Sequence, residues 1–184
     1  YLQGACAINP EIDVLVAYSN GFGDPATGRE LALAMNEQGA DVVFQVAGGT
    51  GQGVIEAAKD TGFWAVGVDS DQDFLAPGFV LTSMLKRVDI AVYDLIARLV
   101  NGELEGGTVA QYGLDQDGVG LSEMVYSRHL IPREYMEQID ALRTGIIDGD
   151  VAVVDTRTIT EEQRTAFYAD RTCAGAEAMM ASME

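Results

Sequence analysis

Short apolar runs alternate with segments of helical period over the first hundred residues. Asp13 to Tyr18 (Asp-Val-Leu-Val-Ala-Tyr) is nearly continuous and β-branched, which predicts a strand buried on both faces of a parallel sheet. A polar turn follows, Ser19-Asn20-Gly21-Phe22-Gly23-Asp24-Pro25, and then a helix from Arg29 to Gln38 that Gly39 closes. The same rhythm predicts a strand from Asp41 to Val46, a glycine-rich loop from Ala47 to Gly51 and a helix from Gln52 to Asp60. It continues with a strand from Trp64 to Val68, an acidic loop from Asp69 to Asp73, a strand from Gly78 to Ser83 and a helix from about Lys86 to Val100. Strands alternating with helices in this way are βαβ units, and so predict an α/β fold built on a parallel sheet with right-handed crossovers.

Past Gly107 the rhythm is lost. Thr108 to Tyr112 predicts a strand, Gly113 to Gly120 a loop, and Leu121 to Tyr126 a further strand. Pro132 opens a helix that runs to Ile147 and is stopped by Gly149, with Glu134 and Glu137 near its positive end. Thr160-Glu161-Glu162-Gln163 is a capping box for one last helix to about Ser182, on which Phe167-Tyr168 and Met179-Met180 form a packing stripe. At the other end, Tyr1 to Ala7 reads as the middle of a small-residue helix with no initiator Met, the start expected of a fragment or a mature form.

Charge narrows the function. Twenty-nine acidic residues against 11 Lys and Arg give a formal net charge of −18, a field that repels nucleic acid. Cys6 and Cys173 lie far apart, with no CxxC and a single histidine, His129, which argues against a zinc site or a Cys–His nucleophile. A Cys6–Cys173 disulfide is compatible with an oxidising compartment, but two small buried thiols are the expectation. No apolar run reaches the roughly 18–20 residues that span a bilayer.

In an open α/β sheet, ligands bind beyond the carboxyl ends of the strands. The loops there hold Phe22, Gly48-Gly49-Thr50-Gly51 and Asp69-Ser70-Asp71. Gly48 to Gly53 has GxxGxG spacing with no Lys-Ser or Lys-Thr after it, so neither a dinucleotide fingerprint nor a P-loop is present. Its bare backbone either admits a flat ligand or only makes a tight turn. Asp69, ending an apolar strand, suits two hydrogen bonds from a vicinal diol, or is a surface acid or cap. Lys86 is one of two lysines and sits at a predicted helix start, where the dipole disfavours a cation. It either meets an anionic or hydroxyl-rich group or pairs with Asp69, Asp71 or Asp89. Phe22 either stacks on a flat ring or plugs its own turn.

The segments Gly39 to Gly51, Gly67 to Gln72, Ala76-Pro77-Gly78 and Val80 to Asp89 together closely resemble the basic membrane protein family, the substrate-binding lipoproteins of ABC importers, and are similar to its purine nucleoside receptors. The likeness runs from about Leu2 to Val151. It implies a type I periplasmic-binding-protein fold: two Rossmann-like lobes joined by crossing strands and closing over a ligand. Residues 1–107 would form the second lobe, 108–154 the crossover and return to the first, and 155–184 a helical extension outside the family pattern. The resemblance further implies that Phe22 stacks on a purine, that Gly48 and Gly49 border the base, and that Asp69 and Lys86, with Asp71 beside them, hold the ribose. Its partners would be a nucleoside and a membrane permease, its place the outside of the cytoplasmic membrane, held by a lipid anchor upstream; neither cofactor nor metal is implied. Some members of the family take riboflavin. Two other readings stand beside it: a nucleoside-processing enzyme using Asp69 and Asp71, which lacks a nucleophile constellation, and a sensory module of the same fold.

Overall fold

Val42–Phe44 forms β1, Trp64–Asp69 β2, Val80–Lys86 β3 and Val119–Leu121 β4, hydrogen-bonded in that order. A computed structural model of the chain describes residues 1–182; the last two residues of the predicted extension, Met183 and Glu184, lie outside them. The first three strands run parallel and β4 closes the sheet antiparallel, pairing Lys86 with Val119. This is the predicted mixed α/β architecture with a mainly parallel sheet. Helix α2 (Pro25–Glu37) precedes β1, α3 (Thr50–Thr61) links β1 to β2, and α4 (Val88–Val100) follows β3. Buried apolar residues of α2, α3 and the strands, among them Ala32, Ile55, Ala57, Ala58, Ala65 and Val80, make the core.

The chain divides into two compact units, one of residues 17–147 and one of residues 1–16 with 148–184. The first holds the sheet. The second holds α1 (Leu2–Ile8), α6 (Glu161–Ala169) and α7 (Cys173–Ala181), while α5 (Arg133–Asp148) reaches the boundary. Within the second unit, Gln3 accepts from Val154 N–H (3.0 Å) and donates to the Ala152 carbonyl (2.8 Å).

Several expectations are corrected. Asp13–Tyr18 is not a strand: Leu15, Val16 and Tyr18 are exposed, and no described strand pairs with the run. Apolar, β-branched composition favours extended backbone, but a strand also needs a neighbouring ladder. Thr108–Tyr112 fails for the same reason, its Tyr112 hydroxyl instead donating to Asp94 of α4 (2.8 Å). The strand predicted at Leu121–Tyr126 is confined to Val119–Leu121, and the chain then turns through Met124, whose φ is 56°. The final helix is two. The Thr160 capping box forms as predicted, but Asp170-Arg171 breaks the helix and Thr172 caps α7 by accepting from Gly175 N–H. Phe167-Tyr168 and Met179-Met180 therefore lie on different helices, with Met179 buried and Tyr168 exposed.

The cysteines are bridged rather than free. Packing of α1 on α7 brings the Cα atoms of Cys6 and Cys173 to 5.3 Å, within disulfide reach, although 167 positions separate them in sequence. That proximity is tertiary, which is why spacing alone favoured two thiols. Reduction, or Cys173→Ser, is expected to cost about 2–5 kcal/mol, because the bridge closes a long loop in the unfolded chain. Urea unfolding with and without reductant checks this, and non-reducing peptide mapping identifies the pair.

Candidate functional site

Because β1, β2 and β3 are parallel, Gln45-Val46-Ala47-Gly48, Asp69 and Lys86 leave the same edge of the sheet. Three residues along this edge take left-handed backbone: Asn20 (φ 55°), Gly48 (φ 55°) and Asp69 (φ 68°). A side chain other than glycine rarely adopts that conformation, and such residues gather where loops are shaped for a task.

The first loop is fastened to the second by Thr50, which is 1% exposed. Its hydroxyl accepts from Asp24 N–H (2.9 Å) and donates to the Gly21 carbonyl (3.0 Å), and its N–H donates to the Phe22 carbonyl (3.2 Å). Asp24 caps α2 by accepting from the hydroxyl and N–H of Thr27, and these bonds, the hydroxyl's above all, hold its carboxyl below the ordinary range. Phe22 lies against the glycine turn: a Cβ on Gly48 would stand 3.4 Å from the Phe22 side chain, and one on Gly49 3.1 Å from its carbonyl. The residue is 76% exposed. It does not bury itself in its own turn.

Asp69 and Lys86 end adjacent strands and pair at 2.7 Å, both side chains about half exposed. Lys86 is the last residue of β3 and not the first of a helix, so the argument from an unfavourable helix dipole falls. Ion pairing with Asp69, one of the two roles open for it, is the one observed. Asp71 turns back into its loop and accepts from Asp73 N–H (2.9 Å).

Sequence reasoning missed the frame beneath these loops. Gln45, 3% exposed, donates through Nε2 to Gln72 Oε1 (2.7 Å) and accepts from Ala47 N–H (3.1 Å). Gln72 Oε1 also accepts from Val68 N–H (2.9 Å), and Gln72 N–H donates to Ser83 Oγ (2.9 Å). Ser83 and Ser122 in turn donate to the two carboxylate oxygens of Asp73 (2.8 and 2.7 Å), which is 1% exposed. Among the described residues no buried side-chain nitrogen or oxygen lacks a partner. Two glycines, Gly51 of the glycine-rich segment and Gly67 within β2, are explained here. A Cβ on Gly51 would come within 1.8 Å of Gln45 Oε1, and one on Gly67 within 2.5 Å of Ser83 Oγ and 2.8 Å of Gln72 Oε1. Glutamines at the ends of neighbouring strands, with glycines facing them, were the signal available.

This edge offers an exposed aromatic face, bare backbone and a carboxylate–ammonium pair, a set suited to a flat, hydroxylated ligand. The family model for ABC transporter substrate-binding proteins of the PnrA-like type matches residues 1–156. The chain belongs to this PnrA-like family. A CD4+ T-cell-stimulating antigen of Listeria monocytogenes is 38% identical over 169 residues, covering 83% of this chain and 46% of its own. The ABC transporter nucleoside-binding protein BmpA of Lactococcus lactis is 34% identical over 170 residues, covering 83% and 47%. The PnrA-like chain thus spans about half the length of these curated relatives.

Among solved structures, an ABC transporter solute-binding protein from Aeropyrum pernix superimposes with a TM-score of 0.77 at 26% identity, over 95% of this chain and 57% of its own. A protein from Bacillus halodurans described as a transcriptional activator of the comK gene gives 0.72 at 30% identity, over 79% and 50%. These neighbours accord with the resemblance read from the sequence. The matched family is one of substrate-binding proteins, and the Lactococcus relative is named for nucleoside binding. Among the described residues of this PnrA-like chain, no helix is long and apolar enough to cross a membrane.

Proposed function

We propose that the chain is the ligand-holding part of an extracytoplasmic binding protein that captures a purine nucleoside and presents it to an ABC permease. The observation that carries this reading is the single sheet edge on which an exposed Phe22 borders Gly48 and Gly49 while Asp69 and Lys86 pair across the next two strands. Phe22 stacks on the base, the glycines let the base approach the backbone, and Asp69 accepts from the ribose hydroxyls while Lys86 holds its carboxylate. Asp71 shapes the loop between them. Residues 108–154 carry the chain back toward a first lobe, which supplies the other wall of the cleft, and 155–184 follows as a C-terminal helical extension. The nucleoside-binding name of the Lactococcus relative supports the ligand class. The Cys6–Cys173 bridge supports a place outside the cytoplasmic membrane, with a lipid anchor upstream.

A second reading, a sensory module that couples the same ligand to regulation, is favoured by the likeness to the Bacillus activator.

A thermal-shift panel on the whole protein, with both walls of the cleft, tests the ligand: inosine, guanosine, adenosine, a pyrimidine nucleoside, ribose and riboflavin. Ligand at about 100 times its Kd stabilises by about 2.7 kcal/mol, a shift of several degrees in melting temperature. Shifts with the three purine nucleosides and none with ribose are expected. A shift with riboflavin alone moves the site to another flat ligand, and a flat panel overturns the nucleoside reading.

A further inference from the structure

The nucleoside reading calls for the base and the sugar to be gripped by two different loops, and a ligand of fixed length is held well only if the gap between those loops is fixed too. The base side is the turn at Gly48, after β1; the sugar side is Asp69, ending β2. The strand ladder itself stops short of both. The last register pair between β1 and β2 is Phe44 with Val66, and one more backbone bond runs from Gln45 N–H to the Val66 carbonyl (3.3 Å). Beyond that point the two strands are joined through side chains. Gln45 holds the N–H of Ala47, the residue before Gly48; Gln72 holds the N–H of Val68, the residue before Asp69; and the two amides bond to each other at 2.7 Å.

We infer that the Gln45–Gln72 amide bridge is the positioning element that sets the span between the base-bordering turn and the sugar-reading carboxylate, and thereby selects an intact nucleoside over its separate parts. Neither glutamine touches the ligand in this assignment. The bridge is rigid because each carbonyl oxygen is already committed. Gln45 Oε1 accepts from Ala47 and Gln72 Oε1 accepts twice, while Ser83 Oγ fixes the Gln72 backbone from the other side. The close approach at Gly51 and Gly67 leaves neither amide room to swing. Hydrogen bonds made before the ligand arrives cost nothing on binding, so the span is preorganised.

The inference rests on the nucleoside reading, and its test separates the two. In the whole protein, Gln72→Met and Gln45→Met remove the bridge while keeping volume, and titration calorimetry compares a purine nucleoside with its free base. Each variant is expected to bind the nucleoside roughly tenfold more weakly or worse while binding the free base as the unmodified protein does, because the base alone needs only one loop. The double variant is expected to lose less than the two single losses combined, since both singles break the shared amide–amide bond and differ only in the backbone N–H each releases. If Gln72→Met fails to fold, Gln72→Asn carries the test, its amide one methylene too short to reach Gln45 and Val68 together. A parallel loss of nucleoside and base affinity, or no loss of either, overturns the bridge alone. An unmodified protein that binds no nucleoside overturns the functional reading and the bridge with it.

Discussion

Asp69→Ala is expected to abolish purine nucleoside binding while the protein remains folded. An ionised carboxylate accepting from two ribose hydroxyls makes two charge-assisted bonds, each worth about 1.5–3 kcal/mol. Their joint loss, roughly 3–6 kcal/mol, lowers affinity by at least a hundredfold, at about 1.4 kcal/mol for each factor of ten. The folding cost is smaller for two reasons. The Asp69–Lys86 pair is half exposed, and pairs of that kind contribute about 0–1 kcal/mol. The φ of 68° at Asp69 suits aspartate or asparagine better than alanine, which adds roughly 1 kcal/mol. Asp69→Asn separates these effects, since it keeps the residue type that tolerates left-handed backbone and removes only the charge. Its melting temperature should stay near that of the unmodified protein while its affinity falls. Calorimetry showing unchanged affinity in Asp69→Ala would remove the sugar-reading role.

The largest stability effect is expected at Gly53, where α3 packs on α2. A Cβ there would stand 1.8 Å from the Pro25 carbonyl oxygen and 2.8 Å from Arg29 N, all backbone atoms that cannot rotate away. Gly28 meets α3 in the same fashion, 2.0 Å from the Thr50 carbonyl oxygen. The helices α2 and α3 therefore touch backbone to backbone, and Gly53→Ala must push them apart. Overpacking of this kind costs about 3 kcal/mol or more when nothing flexible can yield. The displacement reaches the site as well, because Phe22 precedes α2 and Gly48 precedes α3. Gly21→Ala is the control, since a Cβ there meets nothing within 4 Å. Urea midpoints should fall sharply for Gly53→Ala and stay within experimental error for Gly21→Ala; equal midpoints would refute the backbone contact.

The legible parts of the fold were those governed by local chemistry. Gly62 closes α3 in a left-handed cap, and Thr160 with Gln163 forms the capping box of α6; α2 opens earlier than the predicted Arg29, at Pro25 behind the Asp24 cap. Each is decided within four residues. The apolar runs of β1, β2 and β3 were readable for a related reason, since βαβ connectivity makes sequential strands neighbours. Asp13–Tyr18 has equally apolar composition and was misread, because burial of a strand is a property of its partners. Lys86 was placed one element too late: β3 runs three residues past Ser83, and its end is set by pairing with Val119 of β4, 33 positions downstream.

At the candidate site, residue chemistry singled out Phe22, Gly48, Gly49, Asp69, Asp71 and Lys86, and the parallel sheet explains why Gly48, Asp69 and Lys86 share an edge. Their mutual arrangement was out of reach. Asp71 looks the equal of Asp69 in sequence, yet one carboxylate faces Lys86 and the other its own loop. The Gln45–Gln72 bridge joins residues 27 apart, and the Asp73–Ser122 bond residues 49 apart. The sequence by itself determined the α/β rhythm, the caps, the acidic surface and the residues that could meet a ligand, because these depend on neighbours along the chain. Only the tertiary structure decided that the cysteines are joined, that Lys86 ends a strand against Asp69, and that the Gln45 and Gln72 amides meet between the loops. Those outcomes depend on which distant groups exclude water together, and no local pattern of residues carries that information.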